Sequence, residues 1–218
     1  MNDYFSNSNP QEQQDDPWMS VSDLMAGLMV IFLFIAIVYI RPVVETQTKI
    51  ENVTATWEDA RRKIFLALES EFKHDLKRWD ASLEEDGLTI RFRAPDILFK
   101  TGTSELRPRF REILDSFFPR YLKVLSDFKD EIQEIRIEGH TSSEWSEDTT
   151  ELVSYFKNME LSQARTRSVL EYSFTESLYT GSKWAHSLLT ANGLSSSQKI
   201  IGTDGLEDQI NSTRVEFR

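Results

Sequence analysis

The sequence of 218 residues contains no cysteine, which excludes disulfide bonds, cysteine-ligated zinc or iron–sulfur sites and thiol catalysis. Its three histidines are far apart in the sequence, so we expect neither a histidine metal site nor a hydrolase arrangement. A Gly-x-x-x-x-Gly-Lys-[Ser/Thr] phosphate loop is also missing. Basic residues number 25 against 36 acidic ones, and the net charge of −11 is unfavourable for nucleic-acid binding. We therefore predict that the protein is not an enzyme and has no cofactor, metal or nucleic-acid partner.

Long hydrophobic runs are scarce as well, because only one occurs, from Leu24 to Ile40, in a chain whose mean hydropathy is −0.43. As a helix this run spans roughly 25 Å, and residues 18–23 extend it past the ~30 Å of a bilayer core. We therefore predict a transmembrane helix over 18–41, preceded by a tail over 1–17. A secretory signal peptide is the alternative, but no Lys or Arg precedes the run and no small-x-small cleavage site follows it.

The charges beside the apolar run bear on its orientation. Arg41, Lys49 and the cluster Arg61-Arg62-Lys63 lie on its C-terminal side, whereas every charged side chain on the N-terminal side is acidic. Because positive charges normally stay in the cytoplasm, this rule taken alone favours an N-terminus outside the cytoplasm.

Asp23 is a carboxylate at the edge of the predicted span, where charge is costly and usually functional. Small or polar neighbours, among them Ala26 and Gly27, favour a functional interpretation, since they let another helix approach closely. The alternative is that Ser20 and Asp23 form a capping pair at the start of the helix.

A helical linker is predicted over 42–86, because no Pro or Gly occurs between Pro42 and Gly87 and apolar residues recur at three- and four-residue steps. Two interpretations of this apolar stripe remain open. The helix either associates with a second copy of itself or packs on its own C-terminal domain.

Residues 87–218 have the patterns of one domain in which helices and strands alternate. The predicted elements are strands over 88–93 and 135–139, a turn over 101–103, helices over 107–128 (kinked or divided at Pro119), 151–176 and 184–192, and strands over 199–202 and 214–217. The order β-α-β-α-β-β is typical of an α/β sandwich with helices on one face of a sheet. Because the chain ends within the last predicted strand, we expect the natural protein to extend beyond Arg218.

Two groups of motifs carry a family resemblance. The stretch Trp18-Met19-Ser20-Val21-Ser22-Asp23-Leu24-Met25 resembles the N-terminal helix of ion-driven stator subunits of the MotB and PomB class, whose Asp carries the ion. The order of Gly139-His140-Thr141, Asn158-x-x-Leu161-Ser162-x-x-Arg165, Gly202 and Arg214-Val215-Glu216 is similar to the OmpA-like peptidoglycan-binding domain. Ile97-Leu98-Phe99 and the following Gly102-Thr103-Ser104-Glu105-Leu106 resemble the opening segment of that domain.

Within that class the sequence resembles the ZorB family, the stator-like subunits of Zorya anti-phage defence systems. The features that carry this resemblance are Asp16-Pro17-Trp18-Met19-Ser20-Val21-Ser22-Asp23, the stretch from Gly139 to Trp145 and the long helix between span and domain. The resemblance implies an inner-membrane protein with a cytoplasmic N-terminus and a periplasmic domain, against the orientation that the charges alone favour. It also implies a homodimer and a multi-span ZorA-like (MotA-like) partner, five copies of which surround two of this chain.

The same resemblance assigns Asp23 as the ion carrier, with Ser20 and Ser22 as hydrogen-bonding support. Burial disfavours a charged carboxylate, so such a group can bind and release a proton. A proton suits a lone carboxylate better than sodium, which needs several oxygen ligands. A passive membrane-to-wall tether and a flagellar-type MotB subunit are the alternatives, and Asp23 distinguishes the tether from the motor. A TolR or ExbD type subunit has a smaller periplasmic fold, and the motif around Arg165 argues against it.

For the wall-binding domain, the resemblance implies that Arg165 binds the carboxylate of the diaminopimelate in a peptidoglycan stem peptide. An Arg165 paired with a nearby acid on its own helix is the alternative. The family usually has Asp after Gly-His-Thr to bind the ammonium group, but this chain has Ser142, and Glu144 or Asp148 are the candidate substitutes. We expect His140 to be a packing residue and Arg214 to be either structural or a secondary contact. The other predicted binding residues are Tyr155, Asn158, Leu161, Thr141 and Ser142.

Overall fold

The computed structural model of the chain describes residues 17–93, 95–146, 148–175 and 183–218. The elements are α1 (Pro17–Phe72), β1 (Ala81–Glu84), β2 (Thr89–Phe92), α2 (Pro95–Leu98), α3 (Pro108–Ser126), β3 (Ile135–His140), α4 (Glu151–Thr175), α5 (Lys183–Leu188), β4 (Leu189–Gly193), α6 (Gln209–Ser212) and β5 (Arg214–Phe217). The chain divides into two compact units, Met1–Thr56 and Trp57–Arg218, and α1 contributes residues to both.

The first unit contains, within the described residues, the part of α1 up to Thr56. Its segment Val21–Arg41 has a mean hydropathy of 2.5 and is long and apolar enough to cross a membrane. No other helix in the described ranges meets that test. This segment lies within the predicted span over 18–41, whereas the predicted tail over 1–17 falls outside the described residues except for Pro17.

The C-terminal part of α1 belongs to the second unit and packs on it. Ile64, Leu68 and Phe72, spaced four residues apart, lie on one face of the helix and are buried in the core. Arg120 of α3 holds the end of this helix, because it donates to the Glu71 side chain at 2.6 Å and stacks over the Phe72 ring. From Ile64 to Phe72 the structure therefore has the helix packed on its own domain, whereas Trp57 is exposed. The side chains of residues 48–55 lie outside the described set.

The predicted helical linker over 42–86 is wrong after Phe72. A turn follows, in which Asp80 has a φ of +51°, and β1 then pairs with β2 in an antiparallel hairpin through the short 3-10 turn Glu85–Gly87. The sequence between Phe72 and Ala81 contains no Gly or Pro, so nothing in it signalled the end of the helix. The domain consequently begins before the predicted boundary at residue 87.

The five-stranded sheet has the order β1-β2-β5-β3-β4, in which only β3 and β4 are parallel neighbours. Phe92 and Phe217 pack against Phe117 of α3, and Gly139 on the same face as Phe217 lies against α4. Helices therefore cover this face of the sheet, and the predicted α/β sandwich is confirmed.

Three further expectations differ from the structure. The helix predicted over 184–192 ends at Leu188, and residues Leu189–Gly193 form β4 beside β3. The strand predicted over 199–202 is reduced to an isolated bridge between Ile201 and Glu207, which closes a turn. α3 continues through Pro119 as one helix, so it is not divided there, and the aromatic residues on both sides of this proline are buried in the core. A kink at Pro119 stays a prediction.

Candidate functional site

The site is arranged around α4, whose buried face is unusually polar. Most buried positions of a surface helix are apolar, but those of α4 are largely hydroxyl, amide and guanidinium side chains: Ser154, Asn158, Ser162, Arg165, Thr166 and Ser173. Small side chains allow this helix to approach the sheet closely. A Cβ on Gly139 would lie 2.6 Å from Thr166, and one on Gly193 would lie 2.3 Å from the backbone nitrogen of Gln163.

On that face Arg165 is the only arginine among the described residues, and none of them supplies it with a counter-charge. Its Nε donates to the Thr103 carbonyl at 3.0 Å, and its guanidinium lies 4.8 Å from the centre of the Phe99 ring. Burial lowers its pKa to about 10, and no neighbouring charge contributes to that shift. Among the described residues no carboxylate lies within ion-pair distance of Arg165. In this part of the chain Arg165 therefore has no acidic partner on its own helix, contrary to the alternative interpretation.

Asn158 connects the same helix to the loop that follows β3. Its Nδ2 donates to the Glu144 carbonyl at 3.1 Å, and this contact fixes the loop against α4. A second connection runs through Ser195, whose backbone nitrogen donates to Ser162 Oγ and whose Oγ donates to the Tyr155 carbonyl at 2.8 Å. The Ser195 carbonyl in turn accepts from the backbone nitrogen of Thr141.

The remaining predicted residues lie near these connections. Thr141 is buried, and its Oγ1 has no hydrogen-bond partner in the described ranges. Ser142 is half-buried and its backbone nitrogen donates to Thr213 Oγ1 at 3.2 Å. Leu161 is half-buried between Asn158 and Arg165 on α4. The structure thus brings Tyr155, Asn158, Thr141 and Ser142 together, while Arg165 contacts the turn over 99–103.

Glu207 is a residue that the sequence reasoning missed. Its carboxylate accepts from the Ser143 backbone nitrogen at 3.0 Å and from Ser143 Oγ, so an acid lies beside the residue that follows Ser142. The predicted substitutes, Glu144 and Asp148, have exposed side chains. The two partners are 64 positions apart, and no local pattern connects them.

A second polar cluster lies on the other face of the sheet, where ligand atoms of Glu138, His140 and Glu216 fall within 4.8 Å of one another. Arg91 and Arg214 both donate to one oxygen of Glu216, at 2.7 and 2.6 Å. Burial raises the pKa of Glu216, but these hydrogen bonds outweigh burial and the net shift is downward. Because cationic side chains already neutralise the carboxylates, the cluster is a poor site for a metal ion.

In the membrane segment, α1 already includes Pro17, Trp18 and Met19, so Ser20 does not occupy an N-cap position and the capping interpretation of Ser20 and Asp23 is wrong. Ser22 donates its hydroxyl hydrogen to the Trp18 carbonyl at 2.9 Å. Asp23 is exposed in the isolated chain, and the support expected of Ser20 and Ser22 stays a prediction.

With this geometry in place, comparison with known proteins defines the class of the domain. Residues 98–214, more than half of the chain, match the OmpA family. A MotB-like protein from Desulfovibrio vulgaris has the same fold, with a TM-score of 0.51, 22% identity, and coverage of 76% of this chain and 93% of the other.

A relative that extends beyond this domain is more specific. The chain is 46% identical over 209 residues to the Zorya protein ZorB of Escherichia coli, across 95% of its own length and 89% of the relative's. The chain therefore belongs to the ZorB family and carries an OmpA family domain.

Proposed function

We propose that this chain is the wall-anchored, stator-like subunit of a proton-driven motor in the bacterial inner membrane, acting in anti-phage defence. Its membership of the ZorB family supports the defence role and a ZorA-like (MotA-like) multi-span partner. Two copies of the chain would be surrounded by five copies of that partner. The apolar segment Val21–Arg41 supports a single span. The orientation that we propose, with the N-terminus in the cytoplasm and the domain in the periplasm, is the one that the family resemblance implies.

The charge of Arg165, which no acid in the described ranges compensates, is the observation that carries the anchoring function. Placing a cation in a protein interior without an acidic partner is costly, so a chain that retains one gains from a ligand that brings the missing anion. A guanidinium presents paired N–H groups that match both oxygens of a carboxylate. The stem peptide of peptidoglycan supplies such carboxylates, and Arg165 would bind one of them.

The neighbouring residues would complete the pocket for the stem peptide. Asn158 connects α4 to the loop after β3, and Thr141 Oγ1, at the start of that loop, has hydrogen-bonding capacity that no described residue uses. Tyr155, Leu161 and Ser142 are half-buried at the same place and would line the pocket wall. Anchoring of this kind requires binding alone and no catalysis.

The motor part of the proposal rests on Asp23. A carboxylate at the edge of a span can take up a proton on one side and release it on the other if a partner helix shields it from lipid. The change of charge would then alter the interaction with the ZorA-like partner and drive motion. Ser20 precedes Asp23 by three positions, a spacing that brings two helical residues together, and would help to position the carboxylate. Ser22 is the other support that the family resemblance implies.

The anchoring function is tested by retention of the full-length protein, in mild detergent, on purified peptidoglycan sacculi. We expect Arg165→Ala to lower retention about tenfold to a hundredfold, as the loss of a charge-assisted bond would. Arg165→Lys keeps the positive charge but loses the paired N–H groups of the guanidinium, so we expect its retention to lie between those of wild type and Arg165→Ala. Arg167→Ala, an exposed arginine two positions along the same helix, is the matched control. Equal retention of wild type and Arg165→Ala would show that the site is wrong.

A further inference from the structure

The turn before α3 that contacts Arg165 is closed and braced. Phe99 and Leu106 form an isolated antiparallel bridge at its base. Thr103 donates twice to the Lys100 carbonyl, through its backbone nitrogen at 3.0 Å and through its hydroxyl at 3.1 Å. These contacts fix the direction of the Thr103 carbonyl, which is the group that accepts from Arg165.

The ring of Phe99 is held as firmly as the turn. It is 3% exposed and nearly perpendicular to the ring of Phe110 on α3, with 5.8 Å between the two centroids. The Phe99 carbonyl accepts from Arg107 Nε at 3.0 Å, which holds the backbone of the same residue. The guanidinium of Arg165 lies over this ring, 4.8 Å from its centre. A phenylalanine of the core therefore also stabilises a cation, through the negative face of its ring.

The two contacts engage different parts of the guanidinium. The Thr103 carbonyl accepts the N–H of Nε, and the Phe99 ring covers one flat face of the group. A guanidinium has five N–H donors, so four remain on its two terminal nitrogens. No described residue accepts from these four, and Arg165 keeps 7% of its surface exposed. The terminal edge is therefore the one at which a planar anion finds two free, parallel donors.

We infer that Phe99 is a positioning residue of the wall-binding site, and that the ligand carboxylate binds Arg165 end-on, between its two terminal nitrogens. The inference rests on the proposed function, because it describes how the same arginine receives the same ligand. An unrestrained arginine loses conformational freedom when it binds, and this loss weakens binding. Phe99 and the Thr103 carbonyl restrain the guanidinium beforehand, so the ligand meets donors that are already aligned.

The first experiment measures retention of full-length variants, in mild detergent, on purified peptidoglycan sacculi. Phe99→Leu keeps an apolar side chain in the core but removes the aromatic face, and we expect retention to fall about threefold to tenfold. Phe118→Leu is the matched control, because Phe118 is also buried but packs on Phe174 and Phe217. It should be retained like wild type. Unchanged retention of Phe99→Leu, or an equal loss in Phe118→Leu, would overturn the inference.

A second measurement needs no variant and observes the guanidinium directly. Nuclear magnetic resonance of the full-length wild type in detergent follows the N–H signal of Arg165 Nε, with the exposed Arg167 as the reference. We expect the Arg165 proton to exchange with water about tenfold more slowly, because it is bonded to the Thr103 carbonyl. Its signal should also lie upfield of the reference because of the Phe99 ring. Exchange as fast as that of Arg167 would show that the guanidinium is not held.

The same signals test the end-on geometry when a wall ligand is added. The probe is soluble muropeptides released from sacculi by lysozyme. We expect the terminal N–H signals of Arg165 to shift while its Nε proton keeps its slow exchange, since the Thr103 carbonyl stays bonded. A ligand that binds side-on would take the Nε proton from that carbonyl. A large shift of the Nε signal with faster exchange would therefore contradict the end-on assignment.

Failure of the inference and failure of the proposed function give different results. If Arg165→Ala loses retention while Phe99→Leu keeps it, the arginine binds the wall and the role of Phe99 is refuted. If wild type is not retained on sacculi and the muropeptides shift no Arg165 signal, the proposed function fails, and the inference fails with it.

Discussion

His140 links the stability of the domain to pH in a way that can be measured. Its ring lies at the end of β3, is 2% exposed, and neither nitrogen has a hydrogen-bond partner among the described residues. Burial, together with the positive charge of Arg214, lowers its pKa from 6.5 to about 4. Arg91 and Arg218 lower the pKa further, and Glu216, 3.7 Å from Nε2, opposes them.

The direction of the effect follows from the two states. Above pH 6.5 the ring is neutral in the folded and the unfolded chain, so His140 makes no difference to stability. Between pH 6.5 and about 4 the unfolded chain takes up a proton that the folded chain does not. The free energy of unfolding therefore falls as the pH is lowered through this window. Each pH unit in this window costs up to about 1.4 kcal/mol, so the loss between pH 7.5 and pH 5.0 is about 2 kcal/mol.

The assay is guanidinium chloride unfolding of the full-length protein in detergent, followed by tryptophan fluorescence at pH 7.5 and pH 5.0 and constant ionic strength. His140→Gln cannot titrate, and we expect its free energy of unfolding to fall by about 2 kcal/mol less than that of wild type between these pH values. His74→Gln, at an exposed position, is the control and should follow wild type. An identical loss in wild type and His140→Gln would refute the argument that burial keeps this ring neutral.

Two more predictions concern the membrane segment and the packing of α4. Asp23→Asn keeps the size of the side chain but cannot carry a proton. We expect this variant to lose protection against phage while it still co-purifies with its membrane partner. Full protection by the variant would refute the motor and support the interpretation as a passive tether. Gly193→Ala should cost about 1–3 kcal/mol in unfolding free energy, because its Cβ would lie 2.3 Å from the nitrogen and 2.6 Å from the Cα of Gln163. Gly205→Ala is the control, because its Cβ would lie in open space and the variant should lose only about 1 kcal/mol from the positive φ. A loss in Gly205→Ala equal to or larger than that in Gly193→Ala would contradict the close approach of α4 to the sheet.

The sequence could predict those elements whose apolar pattern agrees with their burial. α3 has eight buried residues on one face, and β2, β3 and β5 lie where alternation placed them. β4 was missed because its pairing with β3 overrides a local pattern that favours helix. β1 was missed because the turn before it contains no Gly or Pro, and the left-handed Asp80 is a weaker signal for a turn than either of them.

In the candidate site, too, the sequence could predict the residues that lie on one element but not the contacts between distant segments. Arg165, Asn158 and Leu161 lie on one helix, so their spacing in the sequence already places them on one face. Glu207 reaches Ser143 only because the turn after Ile201 folds back on the loop after β3, and a contact over 64 positions has no periodicity to reveal it. Pairing of Arg165 with a local acid was an open alternative for the same reason, since the sequence contains many acids and does not specify which of them approach.

The polar face of α4 allows close packing against the sheet, and the same face carries the arginine of the proposed wall-binding site. Ser162 and Thr166 are small enough for α4 to approach the sheet at Gly139, and their hydroxyls bond to the backbone of α4 or to Ser195. A helix packed through bulky apolar residues would lie farther from the sheet, because interaxial and interlayer spacing grows with side-chain size. Arg165 would then lose its contact with Thr103 and the Phe99 ring. The helix therefore has a polar buried face because that face both packs against glycine and holds the cation that a wall peptide would neutralise.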